Sequence, residues 1–499
     1  MLVPFILLLC ATCWLIIYLI GQHNEKYWKK KGLKFHQKNK VTGVFGEFLT
    51  SDKAMFKIIS DIYKKYRNEP AVGIGGFLTP TLLVNDETNI QNVLQTDFNS
   101  FNHRGFEINE GDHLADNLVF MKGNRWKLVR QSMTPVFTSA KLKKMFYIMD
   151  KSGKDFVSYV KDNPEILKNQ PYETVSTFCC AAIGAAVFGI VSESVFESPF
   201  LDIARRALKP SVRNALKLAI VNLSPWLSNI LNIKLFSDYE SFFIGAMKRL
   251  IRQREKESGQ KHDFADICVS LQKNGTLKDS ETGLELEPTD ELLSGQAFFF
   301  FIAGVDPSAA AIYACLLQLG RHPEHLEKVH KEIDMAFDKL NGQLTFESVM
   351  EMEHLEKVLC ESLRLLPPIG SLVRQCIKDT VLPIGNIKIE KGTKVFVSVY
   401  DLHNDPKYYP NPEIFDPERF ASEAARNGHM YMPFGKGNRQ CIGIRFARLQ
   451  VKTGLIHFLR HYSVKAKIDG RELRFRKEQV QVRTSNVEIE FIPRKIKNL

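Results

Sequence analysis

No basic tract interleaved with aromatic residues occurs in this chain of 499 residues, and no nucleic-acid-binding signature does either. Its net charge of +12 therefore points to an anionic membrane surface or an acidic protein partner. Cysteine is sparse and unpatterned. Nine residues, at 10, 13, 179, 180, 268, 315, 360, 376 and 441, form no spaced framework and are odd in number, which excludes a disulfide scaffold and predicts reduced thiols facing the cytosol. The only C-x-x-C, Cys10 to Cys13, lies inside an apolar run, which argues against zinc or redox chemistry there. Internal repeats and low-complexity tracts are missing, as is any alternation of strand and helix signals, so one large domain is the simplest account.

Charge is absent from residues 1 to 20, MLVPFILLLCATCWLIIYLI. At about 1.5 Å per residue this run spans about 30 Å, the thickness of a bilayer core. Seven lysines follow between Lys26 and Lys40 against the single Glu25, which places the bulk of the chain on the cytosolic side. A cleaved leader would need a basic start, a shorter apolar region and a small-residue cleavage site, and none is clear. The expected organisation is an anchor over 1–22, a basic linker over 23–45 and one domain over 46–499.

Short alternating runs punctuated by turn residues predict strands around 71–86, 380–400 and the C-terminal QVRTSNVEIEFIPR, while most of 86–370 has helical periodicity. The expected fold is mainly α with small antiparallel sheets. The segment 201–236 mixes basic and apolar residues, Trp226 among them, and suits either a membrane surface or a buried helix pair. Thirty-five phenylalanines suit bulky apolar ligands as well as ordinary packing.

The most specific pattern is PFGKGNRQCIG, in which Phe434, Gly437, Arg439, Cys441 and Gly443 give F-x-x-G-x-R-x-C-x-G. Chance would produce it in a chain of this length on the order of once in ten thousand. A thiol there is open to several readings: a disulfide half, a redox thiol, a nucleophile, a metal ligand or a small buried side chain. A cysteine just before a helix receives backbone amides and the positive end of the dipole, which favours thiolate, the form that binds iron.

This loop resembles the haem-binding signature of the cytochrome P-450 superfamily, with Cys441 matching the axial ligand. Glu361 and Arg364 in CESLRLLPP match the family's ExxR pair. The same spacing at Glu423 and Arg426 means little alone, so the order of the landmarks carries the match. With Arg419 of FDPERF, the resemblance implies a structural network of Glu361, Arg364 and Arg419 near the proximal side of the haem. Trp126 and Arg130 match the pair that bonds a haem propionate, and Arg439, Arg374 and His403 are further propionate candidates. Phe434 and Gly437 complete the cofactor loop. YWKKKG, FNSFNHRG and HNDPKYYPNPEIFDPERF are similar to insect microsomal members of the family-six kind.

The resemblance implies haem b and a monooxygenase that inserts one atom of O₂ into an apolar xenobiotic or endogenous lipid. It further implies an endoplasmic reticulum location, with NADPH electrons delivered by a flavoprotein reductase and cytochrome b5 as an additional partner. Lys122, Arg125, Lys127, Lys436, Arg445 and Arg448 are the cations expected to attract that reductase. Two departures stand out. The family's A/G-G-x-D/E-T stretch reads AGVDPS, so Asp306 is kept while Pro307 replaces the threonine. Proton delivery is then expected through Asp306, Ser308 and water; the alternatives are a peroxygenase, an isomerase or dehydratase needing no NADPH, or a haem-containing ligand-binding protein. The second departure is a linker without the proline-rich hinge of microsomal members. Of Phe298 to Phe301, at most one or two are expected to reach a ligand.

Overall fold

The computed structural model describes residues 2–169, 171–189, 199–208, 211–257 and 262–495. The uncharged N-terminal run forms α1, Leu2–Lys30, whose apolar side chains, such as Val3, Trp14 and Leu19, are exposed. A helix this long and apolar can cross a bilayer. The helices α2 (Gly123–Met133), α3 (Pro171–Phe188), α4 (Val212–Leu223) and α5 (Pro225–Ile230) follow. Next come α6 (Asp290–Arg321), α7 (Pro323–Lys339), α8 (Glu353–Leu365) and α9 (Ile444–His461). Both α3 and α6 are also apolar enough to span a membrane, yet they are mostly buried and pack on each other. They are core helices.

The strands β1 (Ala71–Ile74) and β2 (Thr81–Val84) arise where alternation predicted them, and a short hairpin joins β3 (Leu277–Lys278) to β4 (Glu285–Leu286). Then come β5 (Ser371–Gln375), β6 (Thr380–Leu382), β7 (Ile387–Ile389) and β8 (Lys394–Ser398). The chain closes with the antiparallel pair β9 (Tyr462–Ile468) and β10 (Val487–Pro493). The main sheet has the order β1-β2-β8-β5. Its β2–β8 pairing is parallel, with Thr81 opposite Lys394, an exception to the antiparallel expectation. Strand β5 gave no alternation signal, and β9 begins inside the run that reads as one helix through Tyr462. Tyr462 caps the end of α9 in extended backbone, and the β10 pairing takes over.

The basic segment 23–45, expected as a linker, is packed against the domain. Trp28 is 1 % exposed and packs beneath the main sheet, where a Cβ on Gly73 would lie 2.3 Å from its ring. The Gly73 N–H donates to Lys34 O at 2.9 Å, and the His36 N–H donates to Gly73 O at 2.8 Å. Asn24 donates to Lys40 O at 3.0 Å. Backbone pairing and tryptophan burial thus fasten the end of α1 and the segment after it to the main sheet without a proline hinge.

Within 201–236, α4 and α5 carry exposed Val212, Leu216, Trp226 and Ile230, while Ala219 and Val221 are buried. Lys209 and Pro210 of this stretch lie outside the described residues.

Candidate active site

The cysteine loop is closed by the Cys441 N–H, which donates to Phe434 O at 2.9 Å, and by the Gln440 N–H, which donates to Gly437 O at 2.9 Å. Gly437 has φ +72° and a Cβ there would sit 2.0 Å from Leu94 O, so both conformation and space demand glycine. The loop delivers Cys441 to the start of α9, two residues before its cap Gly443. Cys441 is exposed, yet burial within the protein pushes its thiol up. The residue thus keeps accessible surface although protein atoms surround it. The Gly443 N–H, Arg130 and Arg104 pull in the opposite direction. The expected thiolate-stabilising groups are therefore in place, and desolvation outweighs them.

Above the loop gather Arg104, Arg130, Arg374 and Arg439. Arg439, 2 % exposed, donates from Nε to Asn102 O at 2.7 Å, from Nη1 to Leu118 O at 3.2 Å and from Nη2 to Met121 O at 2.7 Å. Its guanidinium lies 4.1 Å from the Trp126 ring centroid. Arg104 donates to Arg439 O at 3.0 Å, and Arg374 donates to Val373 O at 2.9 Å. Burial, then repulsion from Arg104, Arg374 and Arg130, pushes Arg439 down to about 8. Burial and the neighbouring arginines likewise lower Arg374 to about 9 and Arg104 to about 10. Among the described residues none of the four has a carboxylate partner.

Buried cations without anions are costly, and a bound dianion would complete the arrangement. Haem carries two propionates, so this cluster and the open Cys441 sulfur fit it. Arg104 was not singled out from the sequence, where it appears only within FNHRG. Its part becomes visible once the backbone places it on Arg439.

The second constellation is fully buried. Glu361 and Arg364, both 0 % exposed, form two parallel bonds, Nε to Oε2 at 2.7 Å and Nη2 to Oε1 at 2.8 Å. Arg364 also donates to His403 O at 2.9 Å and Pro412 O at 2.8 Å. Arg419 reaches Glu361 at 3.5 Å, and the Asp416 N–H donates to the same carboxylate at 3.0 Å. The look-alike pair does nothing comparable: Arg426 donates to Phe420 O at 2.8 Å instead of meeting Glu423.

His403 belongs to this second constellation and not among the propionate arginines. Its Nε2 accepts the Met432 N–H at 2.9 Å, and its ring stacks on Tyr431 at 5.5 Å. Burial, then Arg364, lowers it to about 3, so it is neutral and offers no counter-charge.

Helix α6 runs unbroken through Pro307, which has no N–H for the carbonyl of Ala303. Ala303 is exposed in a helix that is otherwise mostly buried, and Phe299 and Pro307, four residues to either side, are half-buried. These three form one stripe. Phe298 and Phe301 are instead fully buried in the core. Ser308 is buried next to Pro307. Asp306 turns to the flank, where its Oδ1 accepts from Tyr172 OH at 2.7 Å and from Arg483.

Between α2 and the cysteine loop lies a recess of about 920 Å³, lined by Trp126, Lys127, Arg130, Lys436 and Gly437 among others. The cations expected to greet a reductase are already engaged. Lys122 pairs with Glu107 at 2.7 Å, Arg125 with Asp116, Lys127 with Glu281, and Arg448 with Glu356 at 3.3 Å. Lys436 donates to Asn427 O at 3.1 Å, and Arg445 is exposed.

Residues 38–491 match the family model described as Cytochrome P450. The chain is 33% identical over 481 residues to Cytochrome P450 6k1 of Blattella germanica, covering 92% of this chain and 91% of that one. It is 31% identical over 495 residues to Cytochrome P450 6B7 of Helicoverpa armigera, with 96% of each covered. It is 32% identical over 464 residues to Probable cytochrome P450 6a13 of Drosophila melanogaster, with 92% of each covered. These relatives are insect family-six proteins, as the sequence motifs implied. With the family model spanning nearly the whole chain behind its N-terminal helix, the protein belongs to the cytochrome P450 family and is a P450 monooxygenase.

Proposed function

We propose that this enzyme hydroxylates or otherwise oxygenates an apolar small molecule, a xenobiotic or an endogenous lipid, with electrons from NADPH passed through a flavoprotein reductase. The overall reaction takes one O₂, one NADPH and one proton, places one oxygen atom in substrate and releases the other as water. The observation that carries this reading is the gathering of Arg104, Arg130, Arg374 and Arg439, without a carboxylate partner, beside the open sulfur of Cys441.

Cys441 would hold the haem iron through its sulfur, and Arg439, Arg374, Arg130 and Arg104 would hold the propionates. Trp126 supports this by keeping Arg439 against its ring. The bound haem supplies the O₂ chemistry, which a thiolate ligand promotes by donating electron density. Glu361, Arg364 and Arg419 keep the cysteine loop's surroundings rigid. The stripe of Phe299, Ala303 and Pro307 offers substrate an apolar wall, and Asp306 with water handles the proton.

The exposed apolar side chains of α4 and α5, together with an N-terminal helix able to cross a bilayer, suit a lipid surface, in keeping with the cytosolic face of the endoplasmic reticulum. An acidic reductase, or cytochrome b5, would dock at the recess between α2 and the cysteine loop. Its carboxylates would take the places of Glu107, Asp116 and Glu281 on Lys122, Arg125 and Lys127, whose solvent-facing ion pairs are weak.

Co-expression with a reductase and a screen of apolar compounds tests the reading. Products that require both NADPH and reductase are expected. Product formation at the same rate without them would defeat it. Pro307 favours one rival, turnover of a hydroperoxide without NADPH or O₂, and the same screen with an organic hydroperoxide distinguishes it.

A further inference from the structure

We propose that Arg483 is a positioning residue for proton supply, holding Asp306 by one oxygen so that the other remains free to exchange protons. The inference rests on the reading of Asp306 as the proton-carrying acid of a monooxygenase. Asp306 is 2 % exposed and is the only acid among the buried residues of α6. Pro307 leaves no hydroxyl beside it. Tyr172 OH donates to Asp306 Oδ1 at 2.7 Å and approaches the Asp306 backbone carbonyl at 3.1 Å, while Arg483 Nη2 donates to the same Oδ1. Among the described residues no donor reaches Oδ2.

The clamp is itself clamped. The Arg483 guanidinium lies 4.6 Å from the Tyr172 ring centroid, and its Nη1 lies 3.7 Å from Glu478, which is 5 % exposed. The next residue, Thr484, meets Tyr313 OH at 3.1 Å, seven positions beyond Asp306 along the same helix. Upstream, the Val482 N–H donates to Pro368 O at 3.1 Å, and Gln481 bridges Ile369. Segment 481–484 is thus held on one side by the stretch after α8 and on the other by α6. An ion pair that only fastened this segment would be replaceable by well-packed apolar residues. Here two donors converge on one oxygen of the only acid among the buried residues of α6.

Two measurements test the proposal on the full-length protein. Infrared difference spectra between wild type and Asp306→Asn isolate the Asp306 carboxylate band, and Arg483→Gln should move that band with or without haem. In turnover with reductase, Arg483→Gln should lower product per NADPH several-fold and raise the solvent deuterium isotope effect, while hydroperoxide-supported turnover stays at the wild-type level. Arg483→Lys should recover part of the loss, and Arg483→Gln should add nothing in the Asp306→Asn background.

Should Arg483→Gln fail to fold, Arg483→Lys is read in its place, with a smaller loss expected. Wild-type coupling in the Arg483 variants, or equal loss in the NADPH and hydroperoxide routes, would overturn the proposal. Full coupling in Asp306→Asn would instead sink the reading of Asp306 on which it rests.

Discussion

Arg439 lies over Trp126, its guanidinium 4.1 Å from the ring centroid, while its three nitrogens donate to the carbonyls of Asn102, Leu118 and Met121. The arginine is thereby fixed before any ligand arrives. A bound propionate meets a side chain whose rotamer freedom has already been lost, so little ordering is left to oppose binding.

Arg439→Leu should weaken haem retention. Losing a hydrogen bond to a charged group costs about 1.5–3 kcal/mol, or roughly ten- to a hundred-fold in affinity. Haem transfer to an acceptor such as apomyoglobin measures it. Arg104→Leu should act in the same direction and tests the residue that sequence reading missed.

Glu361→Gln should destabilise by about 3–5 kcal/mol, because Arg364 would be left buried with a neutral partner. Urea unfolding reads the loss. Glu423→Gln, at the same spacing but without the pairing, should stay within about 0.5 kcal/mol of wild type.

His403 provides a pH prediction. Its folded value is lowered from 6.5 to about 3 by burial, so between those limits the unfolded chain binds a proton that the folded one refuses. Stability therefore falls as pH drops through this window, with a slope of up to about 1.4 kcal/mol per pH unit from this residue. His403→Asn keeps an acceptor for the Met432 N–H and should flatten the acid limb of the unfolding profile; an unchanged limb would refute the assignment.

Pro307→Thr restores a hydroxyl at the position where the family usually has one. Better coupling of NADPH use to product is expected. Unchanged coupling would mean that the proline is immaterial to proton delivery.

The strength of the sequence reading varied with how local each signal was. The cysteine loop and the Glu361–Arg364 pair are contiguous motifs, and the structure sets Cys441 just before α9 and pairs Arg364 with Glu361. The parallel β2–β8 pairing joins segments about 300 residues apart, and no periodicity within either one encodes its partner. Arg104 is a lone arginine in FNHRG, and only its bond to Arg439 O reveals it. His403 misled because a histidine at a suggestive spacing resembles a counter-charge until burial neutralises it. Trp28, a solitary tryptophan among lysines, was the available sign that the end of α1 and the basic segment after it pack on the domain. The pairing of Lys122, Arg125 and Lys127 was not legible in sequence because their partners, Glu107, Asp116 and Glu281, are set beside them only by the fold.

The most direct test of the central claim is the reduced carbon-monoxide difference spectrum of wild type beside Cys441→Ala. The account predicts a strongly red-shifted Soret band in wild type and its loss in the variant. A band that persists in Cys441→Ala would show that another residue holds the iron.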